Sequence, residues 1–499
     1  MNTQIVAFPD LGEGFCSDDA TIALARALSS GGDARITLDP KSGLNRYHSA
    51  PYPRRTMAYA SSTANDLSPD AFRHLLALQD AGYAEYAVWL DQLRSRIRRA
   101  YRLADDIEIV FAPSGTDLEY IALAAVQGYG EGGVHNILLG ADEVGSGCIH
   151  SAHGRYFASE TALGEKVEPG QEVDGFGPIS LADVPVRCAM GIARTSTEIS
   201  ETIAQEILLG QLQRRHALIH VVHGSKTGLI LPELDDIDRL TMRYGNAASF
   251  VIDACQARIT TDALQAYLER DAIVFLTGSK FMGGAPFSGF ALMHRSRIEQ
   301  AAPLPRGFSR IFRRAEIPAT WSGQSDLVDT ANLSLALRLE SAVFELERFQ
   351  AIAMERVRRI IAQFVEAVKD EIVDPLGIAT VAPLACRADA MAADRPVEMQ
   401  TLVTLNLGGM PELVTFDDAQ RKHAEMALSG LRLGQPVKCV RANGAWGATM
   451  RVGMSMPQFS ALNSLSEQDA EHKLRSDMRH IAHTLTQDTA EQKQHSQND

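Results

Sequence analysis

At 499 residues, with 45% hydrophobic side chains, the chain exceeds one ordinary domain and can bury a sizeable core, which excludes a disordered or fibrous protein. A formal net charge of -14, from 48 basic and 62 acidic residues, excludes a broadly basic surface for nucleic acid or anionic lipid, so a small-molecule partner is expected. The six cysteines are scattered with no CxxC pair and no His/Cys zinc spacing, so we expect no metal site and a reduced, cytoplasmic setting.

The start, MNTQIVAFPDLGEGF, lacks a basic and then apolar leader pattern, and no run of about 18 apolar residues occurs. A soluble, unexported protein with no membrane partner is therefore expected. Residues 1–60 contain irregular Pro- and Tyr-bearing stretches such as RYHSAPYPRR, and predict an arm lying over the body or a neighbouring subunit. The arginine-rich LRSRIRRAYRL, Leu93 to Leu103, interleaves charge with apolar positions and reads as a solvated helix face.

From about residue 105, short β-branched runs alternate with helical stretches, the pattern of a mainly parallel sheet covered by helices. Strands are predicted at Ile107 to Phe111, Asn136 to Leu139, Leu218 to Val222, Ser249 to Ile252, Ala272 to Leu276 and Gly289 to Met293. Each is unalternating, as strands buried on both faces should be. Several end in Gly, Ser, Thr, Asp or His, where open α/β sheets bind ligands. Weak periodicity with Gly and Pro clusters predicts an inserted loop within about 160–195. The spacing predicts one helical run over Leu333 to Val368, linking the large domain (61–328) to a smaller α+β domain (329–460) that contains TLVTLNL and ATMRVGM. Residues 461–499 are polar, and predict a surface helix fraying into a tail.

The chemistry lies at three of these strand ends. In FVIDACQARITTDAL, Asp253 ends a strand, where a carboxylate suits a protonated pyridine nitrogen, and Gln256 is placed to donate to a ring hydroxyl. In AIVFLTGSKFMGGAPFSGFALM, Lys280 follows the next apolar strand and precedes a glycine-rich turn, as a Schiff-base lysine would. In EIVFAPSGTDLEYIALAA, a strand, a turn of small residues and a helix let Ser114, Gly115 and Thr116 offer N–H groups and hydroxyls to a phosphate at a helix N-terminus, with Thr277 and Ser279 completing the cup. Together these meet the three needs of pyridoxal 5'-phosphate (PLP): an aldehyde-binding lysine, a carboxylate for the ring nitrogen and donors for the phosphate.

These residues resemble the class V aminotransferase and cysteine desulfurase family of fold-type I PLP enzymes, over about Ser61 to Met456. Its Ser-Gly-x-x-Glu turn is similar to Ser114, Gly115, Thr116 and Glu119, its Asp-x-x-Gln to Asp253 and Gln256, and its Ser/Thr-x-x-Lys to Thr277 to Lys280. The resemblance implies the aspartate-aminotransferase-like α/β fold, PLP as cofactor, a homodimer and an amino-acid or amine substrate. HGSKTGLILPELDDI places Ser225 near the cofactor, RVGMSM makes Arg451 the clamp for a substrate carboxylate, and PATWSG offers Thr320 to the phosphate across the dimer interface. The chain departs from the pattern in having Ser279 before the lysine and Val144 after Glu143 where the family places histidines, so His150 or His153 is the alternative for stacking on the ring.

An aminotransferase is the default expectation; a lyase or desulfurase and a non-catalytic binding protein are the alternatives. Cys439 is the thiol a desulfurase would use, although KCVRANG lacks a flexible Gly/His loop and reads better as a buried strand cysteine. Cys255 reads as a packing residue.

Overall fold

A computed structural model describes residues 11–141, 143, 148–382, 397–442 and 444–487. The six expected strands all form, each within two residues of its expected bounds: β1 (Ile107–Ala112), β2 (Val134–Leu139), then β4 (His216–His223), β5 (Ala248–Asp253), β6 (Ile273–Thr277) and β7 (Gly289–His294). A further strand, β3 (Ile179–Val184), lies inside the stretch expected to be an inserted loop. It pairs in parallel with β2 at the sheet edge, so that part of the expected loop belongs to the sheet. Its sequence, ISLADV, has too few apolar residues to announce a buried strand, because an edge strand needs only one covered side.

The large sheet has eight strands in the order β1-β7-β6-β5-β4-β2-β3, with Ile230–Leu231 paired antiparallel beside β4. Only β7 and that short strand run against the rest. Every residue of β4 is buried, in keeping with its apolar run His-Ala-Leu-Ile-His-Val-Val-His. Since β1, β4, β5 and β6 run in parallel, their carboxyl ends converge on one side of the sheet, where turns can build a shared site.

The run expected as a single helix is two: α1 (Leu333–Gln350) and α2 (Met354–Val368). No Gly or Pro breaks the sequence between them. Tertiary packing decides it, since α1 lies on the helices Pro69–Ala81 and Tyr86–Ala100, whereas α2 packs on the carboxyl-terminal helix α3 (Glu467–Thr486). α3 is polar overall, yet Ala470, Leu474, Met478, Ile481 and Leu485 recur at helical spacing and are buried. The strands read in TLVTLNL and ATMRVGM form as β8 (Leu402–Asn406) and β9 (Thr449–Gly453), antiparallel to each other in a separate three-stranded sheet. Met57–Tyr59, near the end of the expected arm, pairs in parallel with Leu431–Leu433. Residues 1–10 and 488–499, the outer parts of the expected arm and tail, lie outside the described residues.

Candidate functional site

At the carboxyl ends of β1, β4, β5 and β6 opens a cleft of about 1220 Å³. Asp253, the last residue of β5, stands in register with Val222 of β4 and Phe275 of β6. Its carboxylate accepts from the Cys255 N–H at 3.0 Å, which fixes the turn carrying Gln256. Gln256 is aimed by Arg258: the buried guanidinium donates to Gln256 Oε1 at 2.8 Å, to Ser61 Oγ at 2.6 Å and to Thr401 Oγ1 at 2.9 Å. Gln256 Nε2 therefore points the other way, to Ser62 O at 3.1 Å, with a second hydrogen still to give. Among the described residues no carboxylate pairs with Arg258, and burial brings its guanidinium down to about 9, with Arg451 adding to the effect.

Behind Asp253 sit two buried groups. Glu119 Oε2 and His220 Nε2 approach to 3.3 Å, yet neither atom has a hydrogen-bond partner among the described residues. Burial, helped by Asp253, raises the Glu119 carboxyl well above its usual range, while burial lowers His220 to about 4, against the pull of Asp253. His220 is consequently neutral near pH 7.

Lys280 lies three residues past the end of β6, partly exposed to the cleft. Its loop is tied down by Asn65 Nδ2, which donates to Lys280 O at 2.6 Å and Ser279 O at 3.2 Å, and by the Phe281 N–H on Gln256 O at 3.2 Å. The turn after β1 carries Ser114, Gly115 and Thr116 into the helix Leu118–Val126. A Cβ at Gly115 would sit 3.0 Å from Thr277 Cγ2 and 3.1 Å from Cys255 Sγ, so any side chain there would force these neighbours to give by a few tenths of an ångström. Ser114 Oγ donates to the buried Asp117 at 2.5 Å. Burial lifts Asp117 to about 6, opposed by that bond and by Arg35.

No family model matches the chain, and no curated protein matches it in sequence. Solved structures do resemble it. A NifS-like protein superposes at TM-score 0.50 with 12% identity, covering 86% of this chain and 99% of its own. Ureidoglycine–glyoxylate aminotransferase from Bacillus subtilis gives 0.51 at 12% identity, covering 86% and 97%. The apo cysteine desulfurase from Thermococcus onnurineus NA1 gives 0.51 at 15%, covering 86% and 94%. The chain has the fold-type I architecture. Identities this low carry the fold and leave the chemistry to the site itself.

Within this fold-type I cleft, the residues expected from sequence separate into three groups. Ser114, Gly115, Thr116, Asp253, Gln256, Thr277, Ser279 and Lys280 line it together. Ser225 and Arg451 also line it, and their polar atoms are engaged within the protein, as are Ser114 Oγ on Asp117 and Thr277 Oγ1 on Cys255 O at 2.6 Å. Ser225 Oγ donates to Glu143 at 2.8 Å and accepts the Thr227 and Leu229 N–H groups, part of a buried network in which Arg187 Nε pairs with Glu143 at 2.6 Å. Arg451 makes four hydrogen bonds, to Gln435 O, Ser62 O, Lys226 O and Thr63 Oγ1, of the five a guanidinium can donate. It has one N–H to spare, so the expected two-point clamp needs it to release a main-chain carbonyl. His150 is exposed at the cleft, whereas His153 is held on Ile179 O at 3.0 Å and does not line it. Thr320 is exposed and lies outside the cleft of its own chain.

Two residues missed in the sequence belong to the site: Arg258, adjacent to the Asp-x-x-Gln signature, and Arg35, from the irregular first 60 residues. The signal for Arg258 was its position two residues after Gln256; Arg35 carries no local signal. Cys439, the thiol considered for sulfur transfer, is 3% exposed, is pushed up to about 11 by burial and does not line the cleft. Among the described residues no group of three or more His, Cys, Asp or Glu side chains is placed to hold a metal ion, and no helix is long and apolar enough to cross a membrane.

Proposed function

We propose that the chain is a PLP-dependent enzyme acting on the amino group of a small amino acid or amine, with transamination as its reaction. The observation that carries this is the convergence on one cleft of a lysine, a strand-end carboxylate and a phosphate-type turn from three separate strands. The fit has independent support. Ser62 Oγ is buried in the wall of the cleft and has no hydrogen-bond partner among the described residues, so the site holds a polar group that the protein does not satisfy.

When bound, PLP supplies an electron sink for the bonds to the substrate Cα. Asp253, at the end of β5, would pair with the pyridine nitrogen and keep its proton in place. Gln256, steered by Arg258, donates to the ring hydroxyl. Lys280 Nζ would hold the cofactor and would move the proton at the substrate Cα. Ser114, Gly115, Thr116, Thr277 and Ser279 bind the phosphate, and His150, at the edge of the cleft, is the residue proposed to cover the ring. Arg451 binds the substrate carboxylate after giving up a carbonyl. Thr320, exposed and away from its own cleft, suits a contribution to a second copy's site in a homodimer. Desulfuration is the weaker reading: the Cys255 thiol in the cleft is pushed well up by burial and by Asp253, and Cys439 is buried, so neither offers an accessible thiolate.

The test is the visible spectrum of the purified protein. A lysine-bound cofactor gives a visible band that added amino acids convert to the amine form, with a keto acid restoring it. Lys280→Ala is expected to abolish the band. An unchanged band in that variant refutes the assignment, and release of sulfide or alanine from cysteine selects desulfuration.

A further inference from the structure

We propose that Arg35, delivered by the amino-terminal segment, completes the phosphate site and makes that segment part of the cofactor-binding machinery; this rests on the PLP reading above. The guanidinium lies over the phosphate-type turn, with Nη1 3.2 Å from Thr116 Oγ1 and Nη2 3.4 Å from Ser114 Oγ. Its Cζ lies 5.0 Å from the Phe157 ring centroid and 4.6 Å from that of Phe287. Two such ring contacts steady a planar cation while its N–H groups stay able to donate. Nη1 makes one hydrogen bond and has a second to give, and Arg35 lines the cleft together with Ser114 and Thr116.

The surroundings hold this geometry in several ways. Phe287 has φ +72, in the left-handed region that a bulky residue adopts only when its surroundings enforce it, and this is the residue whose ring supports Arg35. The fully buried Arg338 of α1 donates to Phe287 O at 2.8 Å and to Gly31 O at 2.7 Å, and also to Ser30 O. One side chain thus ties both the ring and the segment bearing Arg35 to the same helix. A Cβ at Gly32 would sit 2.9 Å from Phe287 Cδ1, so the segment passes in close contact with that ring. Arg35 is balanced by Asp33, which it binds through Nε at 2.9 Å and Nη2 at 2.7 Å. Asp33 orients Arg35 and also competes with any anion it would bind.

Protein stripped of cofactor is titrated with PLP and, separately, with pyridoxal, which carries the same aldehyde and ring but no phosphate; the visible band reports binding. Arg35→Met is expected to weaken PLP by about tenfold or more, the loss of a charge-assisted hydrogen bond, while leaving pyridoxal unchanged. Arg35→Lys should recover part of the loss, and Asp33→Asn should tighten PLP several-fold by removing the competing carboxylate. An unchanged PLP affinity in Arg35→Met, or an equal loss for both aldehydes with Asp33→Asn no tighter, overturns the assignment while the cofactor reading stands. If the unaltered protein develops no band with either aldehyde, the cofactor reading falls and Arg35 falls with it.

Discussion

The loop that carries Lys280 is bracketed by two glycines pressed on the same residue of α1, and this yields a sharp comparison. A Cβ at Gly278 would collide with Ala342 Cβ and lie 2.7 Å from Ser288 Oγ, a rotatable hydroxyl. A Cβ at Gly284 would lie 2.7 Å from Ala342 Cβ, but also 2.8 Å from its Cα and 2.9 Å from its N. Overpacking a close contact costs about 1–3 kcal/mol, so Gly278→Ala and Gly284→Ala should each destabilise by about that amount. Ala342→Gly alone should cost about 2 kcal/mol, from the lost helix propensity and the lost buried methyl group. Combined with Gly278→Ala it removes the colliding atom, so the double variant should be less destabilised than the sum by about 1–2 kcal/mol. Combined with Gly284→Ala it leaves the backbone clash in place, so those two effects should add to within about 0.5 kcal/mol. Urea midpoints, compared among variants with a common m-value, measure both couplings, and the visible band reports whether Lys280 has shifted. Equal coupling in the two pairs would refute the idea that the lysine loop sits on α1 through these particular atoms.

Three other outcomes are expected. The unfolded-state value of His220 is near 6.5 and its folded value about 4, so it contributes stability above the first that is lost as the pH falls through the second; His220→Gln should flatten the stability profile in that window by an amount on the order of 3 kcal/mol, as read from urea midpoints at pH 7 and pH 4. Arg258→Leu leaves Gln256 Oε1, Ser61 Oγ and Thr401 Oγ1 without their shared donor, and should shift the visible band of the bound cofactor and weaken PLP about tenfold, where an unchanged spectrum would show that Gln256 does not touch the ring. Cys439→Ala should leave turnover of amino acids within about twofold, because the thiol is buried outside the cleft, and a large loss in cysteine turnover alone would revive the sulfur-transfer route.

The amino-acid sequence by itself determined the central sheet and the ends of its strands. Runs such as LIHVV and FVID read as strands buried on both faces, and the polar residues at or just beyond their carboxyl ends lie where such sheets bind ligands, which is how Asp253, Lys280 and the Ser114 turn were legible. The break between α1 and α2, the edge strand β3 and the buried stripe of α3 were set by what packs against them, and local composition does not record that. The same holds for the site. Arg35 meets Thr116 across 81 positions of chain, and Arg258 meets Ser61 across 197, through contacts that exist only once the elements dock. Arg451 is the converse: its position in a late Arg motif was plain, but only the tertiary structure decided that four main-chain and side-chain oxygens already claim its donors, because hydrogen-bond supply is settled by neighbours in space rather than in sequence.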